Sequence, residues 1–398
     1  MPKTALLQGM RIIDLTSVIF GPYATQTLAD MGAEVIKIEP PQGDAYRYAG
    51  QPAKTRGMGP GYLALNHGKR AMVLDLKEQA DLATAKALIA GADVFIHNIR
   101  GPAIDRLGLG YEAVKAIKSD MVYVHCVGFG SDGPYADLPA YDDVIQAASG
   151  AASLAGLVDG DPTPRYVASS LADKVAGLHG AYAVLGGLVH RLRTGEGQFI
   201  EVPMFETFTH FMLLEHLAGA TFDPPTGSIG YARQLDPNRQ PFPTADGHMS
   251  IVAYTDPVMV RLFSVLGAPE LLDEARFATP ALRATNISEL YIEIAKLTPA
   301  RSNADWAERL SRAQIPAMPV RGLGRMMDDP HLCDVGFFNH RLHPTEGAYF
   351  EMRPPVHFSA RPEGERASPQ HLGQETDSLR DLANAEASPH AHADREGD

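Results

Sequence analysis

Strand, helix and strand follow one another near the start of the chain: Met10-Arg11-Ile12-Ile13-Asp14-Leu15, then a helical pattern at residues 22–31, then Glu34-Val35-Ile36-Lys37-Ile38-Glu39. The alternation continues, with strands predicted at residues 71–74, 93–97 and 121–127 and helices at residues 78–90 and 111–117. Short apolar strands that alternate with helices are typical of a parallel sheet covered on both faces. The sequence therefore predicts an α/β fold with a Rossmann-like large domain.

A long helix is predicted at residues 171–192, and it contains Gly177, Gly180, Gly186 and Gly187. Each interior glycine costs about 1 kcal/mol relative to alanine, so we expect another stretch of backbone to lie close against this helix. A strand at residues 198–203 and a helix at residues 204–218 complete this part of the chain.

The composition changes near residue 221, where proline, glycine and asparagine become frequent. A chain of 398 residues exceeds the usual size of a single core, so two domains are expected. We assign residues 1–220 to the first part of the large domain, 221–320 to a linker and a smaller α/β domain, and 321–398 to a return to the large domain. The smaller domain is predicted to contain a strand at 248–253 and helices at 258–266, 287–297 and 304–313. Beyond residue 383 lies a polar tail with two histidines, for which disorder is favoured over a metal site.

The charge balance limits the kinds of partner. The chain has 35 basic and 48 acidic residues, a net charge of −13, which argues against general binding to nucleic acid or to anionic membranes. Two cysteines, Cys126 and Cys333, cannot build a disulfide framework or a thiolate zinc site, which fits a reducing compartment. The sequence has no signal-peptide pattern, and its longest uncharged run is too short to span a bilayer. We expect a cytoplasmic protein.

One motif, Gly128-Phe129-Gly130-Ser131-Asp132-Gly133, suggests a dinucleotide site because it matches G-x-G-x-x-G directly after a strand. That fingerprint requires its last glycine to open a helix. Pro134 and Pro139 follow instead, so the segment is predicted to be a loop and NAD or FAD binding is disfavoured. The sequence also contains no P-loop, no HExxH, no GxSxG and no cluster of metal ligands. We expect no metal and no permanently bound cofactor.

Cationic and amide side chains occupy consecutive loops next to the predicted strands. Asn66-His67-Gly68-Lys69-Arg70 precedes the third strand, Asn98-Ile99-Arg100-Gly101 follows the fourth, and Arg106 lies one helical turn further on. Ligands of open α/β sheets bind outside the carboxyl ends of the strands, where Lys and Arg suit phosphates. Solvated surface charge is the alternative for any single residue. Together these residues favour an anionic ligand that carries phosphate.

The long helix begins at Ser169-Ser170-Leu171-Ala172-Asp173. A serine can cap the helix, and an acidic residue in the first turn complements the positive end of the helix dipole. Such a position is common without any chemistry, so the residues alone leave both a structural and a catalytic role open for Asp173.

Several motifs spread over most of the chain resemble the class III CoA-transferases of the CaiB/BaiF type. The most specific is Met31-Gly32-Ala33-Glu34-Val35-Ile36-Lys37-Ile38-Glu39-Pro40. It is joined by the stretches at residues 13–22, 66–70, 98–108 and 194–198, and by Leu372-Gly373-Gln374-Glu375-Thr376, where the family more often has histidine in place of the glutamate.

The resemblance implies a Rossmann-like large domain built from both ends of the chain, a small domain between them, and two subunits interlocked as a homodimer. It implies coenzyme A or acyl-CoA as the substrate that binds the loops, and a carboxylic acid as the acceptor. The family's catalytic aspartate matches Asp173. The residues expected near CoA are Val18, Ile19, Phe20, Lys37, Lys69, Asn98, Ile99, Arg100, Arg106 and Tyr141.

By the same resemblance, the carboxylate of Asp173 forms an anhydride and then a thioester with CoA during transfer. One alternative is a 2-methylacyl-CoA racemase of the same fold, which uses a histidine in a Gly-His-Asp-like motif. The matching stretch here, Pro139-Ala140-Tyr141-Asp142-Asp143, has no histidine, and His125 and His179 are expected to be structural. A CoA-binding protein without turnover is the second alternative.

The acids that are exchanged cannot be read from the sequence. Candidates for specificity are Tyr141, Tyr231, Arg233, Arg239 and the segment 246–248, of which an arginine could hold a second carboxylate. The long glycine loop of oxalate-specific members is not evident, which disfavours oxalate.

Overall fold

A computed structural model of the protein describes residues 5–51, 53–359 and 366–387. The strands are β1 Arg11–Leu15, β2 Glu34–Glu39, β3 Lys69–Val73, β4 Val94–His97, β5 Val122–Val127, β6 Gln198–Pro203, β7 Phe242–Thr244, β8 Gly247–Ile251, β9 Ala317–Pro319, β10 Phe338–His343 and β11 Gly347–Met352. The helices are α1 Phe20–Asp30, α2 Pro60–Leu65, α3 Gln79–Ala90, α4 Gly101–Arg106, α5 Tyr111–Ile117, α6 Asp142–Ala148, α7 Leu154–Asp159, α8 Leu171–Thr194, α9 Met204–His216, α10 Asp256–Leu266, α11 Pro280–Thr285, α12 Ile287–Leu297, α13 Asn303–Arg312, α14 Pro330–Asp334 and α15 Thr376–Ala387.

Strands β1 to β6 form one parallel sheet in the order β3-β2-β1-β4-β5-β6. This order confirms the predicted Rossmann-like fold. The chain adds strands on one side of β1 up to β3 and on the other side from β4 onward, so the strand order reverses between β1 and β4. At such a point a crevice opens outside the carboxyl ends of the strands. The loops that follow β1 and β4 therefore flank the place where this fold binds its ligands.

Both faces of the sheet are buried, as its uninterrupted apolar strands predict. Successive side chains of a strand point to opposite faces. Ile12 packs into the core beneath α1 and α8, whereas Ile13 packs into the core beneath α3, α5 and α15.

The close approach predicted from the glycines of α8 is confirmed at its first turns. A Cβ atom on Gly177 would lie 2.9 Å from the carbonyl oxygen of Phe20, and one on Gly180 would lie 3.1 Å from Ala24. Helix α1 thus packs directly on α8. Gly187 faces side chains of the sheet, but no described atom lies within 4 Å of a Cβ at Gly186, so close packing does not explain that glycine.

The chain divides into two compact units. The first contains residues 1–152, 166–213 and 336–398, and the second contains residues 153–165 and 214–335. The sequence placed these boundaries at residues 220 and 320. In the second unit, β7, β8 and β9 form an antiparallel sheet that packs with the helices around Phe263, Trp306 and Leu310.

The end of the chain returns to the first unit through the hairpin β10–β11 and helix α15. Leu379 and Ala383 of α15 are buried in the core beneath α3, and Arg380 pairs with Asp81 at 2.6 Å. The helix continues to Ala387, beyond the predicted start of the tail, while the tail histidines lie outside the described residues. Within the described ranges, no helix is long and apolar enough to cross a membrane.

Candidate active site

The turn between β1 and α1 is held in a strained conformation. Val18 has a φ of +71°, in the left-handed region that β-branched residues rarely adopt. Its N–H donates to both carboxylate oxygens of Asp44, at 3.0 and 3.2 Å, and Lys37 lies 3.1 Å from the same carboxylate. Strain of this kind persists where the surrounding structure enforces it, and it clusters at functional sites.

Lys37 and Lys69 lie behind this turn and not at its surface. The Nζ atom of Lys37 donates to the carbonyl of Thr16 at 2.7 Å. The Nζ atom of Lys69 donates to the carbonyl of Pro22 at 3.0 Å and lies 3.6 Å from Asp14. The two residues are 0% and 2% exposed. Their predicted contact with CoA phosphates is not supported, because both ammonium groups are buried and bonded within the protein.

A crevice of about 360 Å³ opens at the carboxyl ends of β1 to β4, at the point where the strand order reverses. Asn98 joins its two walls: its Oδ1 accepts the N–H of Ser17 at 3.1 Å and its Nδ2 donates to the carbonyl of Ser17 at 3.0 Å. Arg100 and Arg106 are exposed at the two ends of α4. Besides these walls, the crevice is lined by Ile38, Pro40, Gly43, Leu76, Lys77, Ile99 and Leu107.

Helix α4 was not among the predicted helices. Gly101 and Pro102 begin this helix, and proline is well suited to the first turn because it has no N–H to leave unpaired. This short helix follows directly on the Asn98–Ile99–Arg100 turn.

Asp173 lies in the first turn of α8, where the serines do not cap the helix as expected. Ser170 makes no side-chain capping bond, and the hydroxyl of Ser169 accepts from Lys174 at 2.5 Å. The cap comes from α6 instead: Oδ1 of Asp142 accepts the N–H of Asp173 at 3.1 Å. Oδ2 of Asp142 accepts from Gln146 at 2.6 Å.

This arrangement places two carboxyl groups close together. Burial and, to a smaller extent, the negative charge of Asp142 raise the pKa of Asp173 to about 7, while the charge of Lys174 acts in the opposite direction. Burial also raises the pKa of the Tyr46 phenol, and the nearby charge of Asp173 adds to that shift. A carboxyl group with such a pKa changes charge near neutral pH, which is a common property of catalytic groups.

The structure brings together part of the predicted site. Phe20, at the start of α1, touches α8 at Gly177, one turn beyond Asp173. Tyr141 precedes α6 and is 70% exposed, beside the buried carboxylate of Asp142.

Sequence reasoning missed the contributions of Asp44, Tyr46 and Asp142. Each makes its contacts with residues distant in the chain.

Several other chemistries find no support in the part of the chain that the structure describes. No group of three or more His, Cys, Asp or Glu side chains could hold a metal ion there. The segment from Gly128 to Pro139 is a loop, as predicted from its prolines. His179 donates from Nδ1 to the carbonyl of Val175 at 2.8 Å, so its ring is bonded to its own helix.

Comparison with known proteins gives consistent results. The model of "CoA-transferase family III" matches residues 7–376. The chain is 33% identical to the succinate–glutarate CoA-transferase of Agrobacterium fabrum, over 92% of this chain and 93% of that protein. It is 33% identical to the acetyl-CoA:oxalate CoA-transferase of Acetobacter aceti, over 78% of this chain and 80% of that protein.

A solved CaiB/BaiF family protein from Brucella suis has the same fold, with a TM-score of 0.79 and 29% identity over 95% of this chain and 99% of its own. The family match covers both ends of the chain, including the turn after β1, the crevice loops and the first turn of α8. The protein is therefore an enzyme that belongs to CoA-transferase family III.

Proposed function

We propose that this CoA-transferase works through a covalent intermediate on Asp173. The carboxylate attacks the carbonyl carbon of the donor thioester, a C–O bond forms, and the C–S bond breaks to release CoA thiolate. The thiolate attacks the aspartyl carbonyl of the resulting anhydride, releasing the donor acid and leaving CoA on the enzyme as a thioester. The acceptor carboxylate then attacks this thioester, which releases CoA thiolate and forms an anhydride between Asp173 and the acceptor. The thiolate attacks the acceptor carbonyl of that anhydride, so CoA passes to the acceptor and the Asp173 carboxylate is restored.

The observation that carries this proposal is the partly buried carboxyl group of Asp173, whose pKa is raised to about 7. Such a group is ionised above neutral pH, but it is poorly solvated and therefore a stronger nucleophile than an exposed carboxylate. The start of α1 has no side-chain cap, and we assign its first N–H groups to the stabilisation of the developing oxyanion.

We assign the nucleotide of CoA to the crevice between the β1 and β4 loops. Its position at the reversal of the strand order matches the ligand site of open α/β sheets. Arg100 and Arg106 are exposed cations beside it and suit the phosphates. Lys37 and Lys69 then act indirectly, by holding the Val18 turn from behind.

We propose a dicarboxylic acid as one substrate, because the Agrobacterium relative is named for succinate and glutarate. The second unit contains a cavity of about 530 Å³ with two arginines in its lining. Arg283 is fully engaged by Asp256 and the carbonyl of Phe277. Arg233 donates from Nε to Tyr291 at 3.1 Å, whereas its two terminal nitrogens have no partner among the described residues.

The guanidinium of Arg233 also lies 4.5 Å from the ring centre of Tyr254, which fixes its plane. A fixed guanidinium edge binds a carboxylate with two hydrogen bonds. We therefore expect Arg233→Met to raise the KM for glutarate about tenfold or more and to leave the KM for butyrate unchanged. Arg276→Met, in an exposed ion-pair cluster, is the control. Equal effects on both acids would contradict the assignment.

We further propose an interlocked homodimer. Four apolar side chains at helical spacing on α8 are about half or more exposed: Leu178, Tyr182, Val189 and Leu192. A contiguous apolar face of this kind is typical of a subunit interface. Light scattering should give the mass of two chains at assay concentration, and a single-chain mass would contradict the dimer.

The covalent mechanism is tested by mass spectrometry of protein mixed with succinyl-CoA and quenched in acid. We expect CoA attached to the peptide that contains Asp173, and no adduct in Asp173→Asn. An adduct on another residue would exclude the proposed nucleophile.

The racemase alternative is tested separately, by proton exchange at C2 of a 2-methylacyl-CoA in deuterated water. A racemase should incorporate deuterium at C2 without transferring CoA.

A further inference from the structure

Two histidines lie side by side in the sheet: His97 is the last residue of β4, and His125 lies two residues before the end of β5. His97 and His125 are register partners in the sheet, and their rings stack with centroids 4.4 Å apart at an angle of 25°. They are 0% and 8% exposed. The mechanism proposed above uses neither of them, so their burial next to the crevice loop requires a separate explanation.

The hydrogen bonds determine the form of His97. Its Nδ1 accepts the N–H of Ile99 at 3.2 Å, so that nitrogen carries no proton. Its Nε2 lies 2.8 Å from the hydroxyl of Tyr123, which itself donates to the carbonyl of Leu109 at 3.0 Å. Nε2 of His97 is therefore the protonated nitrogen and donates to Tyr123.

His125 contacts the other side of the same residue. Its Nε2 lies 2.9 Å from the carbonyl oxygen of Ile99, and since a carbonyl only accepts, this nitrogen donates. Burial lowers the pKa of both histidines, and the neighbouring His125 lowers that of His97 further. Glu201 and Asp105 are the acidic groups that act on His125. The N–H and the C=O of Ile99 are thus both held by neutral imidazoles.

Ile99 lies between the two parts of the crevice wall that matter for binding. It lines the crevice itself, its predecessor Asn98 is bonded twice to Ser17, and its successor Arg100 is the exposed cation. A residue whose N–H and C=O are both bonded to buried rings has little freedom to rotate. The histidine pair therefore determines the direction in which Arg100 leaves the sheet and the shape of the wall.

We propose that His97 and His125 are positioning residues for acyl-CoA: they clamp the backbone of Ile99 and so hold the Asn98–Ile99–Arg100 turn in its binding conformation. This inference rests on the proposed location of CoA in the crevice. It assigns to the pair a role in affinity for CoA and none in the bond-making steps at Asp173.

The test uses amide side chains that replace one ring nitrogen at a time. The amide of asparagine reaches about the position of Nδ1, and that of glutamine reaches about the position of Nε2. At residue 97 the clamp uses Nδ1, so His97→Asn should retain affinity and His97→Gln should lose it. At residue 125 the clamp uses Nε2, so His125→Gln should retain affinity and His125→Asn should lose it.

The measurements are the Kd for free CoA by calorimetry, and the KM for succinyl-CoA and kcat. Loss of one hydrogen bond to Ile99 should weaken CoA binding and raise KM about five- to tenfold, with kcat changed less than about twofold. Melting temperatures of all four variants show whether each remains folded. If the histidines have only a structural role, the two amide variants at each position should bind CoA equally well, or the loss of affinity should follow the loss in melting temperature.

The outcomes distinguish this inference from the proposed function. If the wild-type protein does not bind CoA in the crevice, as shown by an unchanged Kd in Arg100→Ala and Arg106→Ala, the assignment of the CoA site fails. If those variants lose affinity while the four histidine variants bind CoA alike, the clamp is wrong and the CoA site stands. The expected result is that His97→Asn and His125→Gln retain affinity for CoA, whereas His97→Gln and His125→Asn lose it.

Discussion

A fully buried aspartate of the first unit, Asp14, and a partly buried one, Asp173, have opposite environments. Burial alone would raise the pKa of Asp14, but the ammonium groups of Lys37 and Lys69 hold it below its ordinary value. Burial, together with the negative charge of the neighbouring Asp142, raises the pKa of Asp173 to about 7. The aspartate side chain is thus an ionised part of the framework at residue 14 and a group that titrates near neutral pH at residue 173. The difference lies in the charges around it, and it identifies which of the two is available for chemistry.

The largest effect on activity is expected for Asp173, whose carboxylate has no cationic partner in the core. Asp173→Asn should reduce CoA transfer at least about a thousandfold, because the amide oxygen cannot form the anhydride. Steady-state transfer from succinyl-CoA to glutarate measures it. Asp143→Asn, which changes an exposed carboxylate of helix α6 next to Asp142, should stay near the wild-type rate. If Asp173→Asn kept more than about a tenth of the wild-type transfer rate, Asp173 would not be the nucleophile, and the contrast between Asp14 and Asp173 would have no chemical meaning.

The framework aspartates should respond in stability. Lys37→Met leaves the carboxylates of Asp14 and Asp44 without their shared cation in a buried site. Removal of one partner of a buried ion pair costs about 3–5 kcal/mol, and urea unfolding should show a loss of that size. Lys296→Met breaks an exposed pair and should cost less than about 1 kcal/mol. Similar losses in both variants would mean that the buried network contributes no more than a surface pair.

The same comparison predicts that Asp173→Asn stabilises the protein. A carboxyl group whose pKa is raised on folding contributes stability below its unfolded pKa and loses it as the pH rises through about 7. At pH 8 the amide should therefore increase the free energy of unfolding by about 2 kcal/mol, allowing for partial exposure to water. At pH 4 the gain should be absent. Urea unfolding at both pH values checks this, and an equal gain at pH 4 would assign it to packing.

The smallest expected effect concerns the pH profile. Because the nucleophile must be ionised, kcat/KM should rise with pH through about 7 in the wild-type enzyme. Asp142→Asn keeps an oxygen to cap α8 but removes a negative charge, so this limb should move to lower pH. Burial remains the larger cause of the raised pKa, and only part of the shift should disappear. An unchanged limb in a folded variant would show that Asp142 acts on Asp173 by position alone.

Much of the fold could be predicted because it depends on local patterns. The bounds of β2, β6, α5 and α12 agree with those read from the sequence, since short apolar runs, helical periodicity and terminal glycines are properties of adjacent residues. Helix α4 was not predicted, because glycine and proline disfavour the interior of a helix although proline suits its first turn.

The sequence by itself determined the alternation of strands and helices, the family, and Asp173 as the candidate nucleophile. It could not show that Lys37 and Lys69 are inside the sheet framework, because the type of a residue does not reveal which side of a loop its side chain takes. It could not show that Asp142, 31 residues earlier, would cap α8, or that His97 and His125 would meet at Ile99. Those relations depend on which strands become neighbours and how closely the helices approach, and burial then sets the charge of each group. The chain thus supplies the chemical groups, and only the tertiary structure determines which of them are neutral, which are paired and which can react.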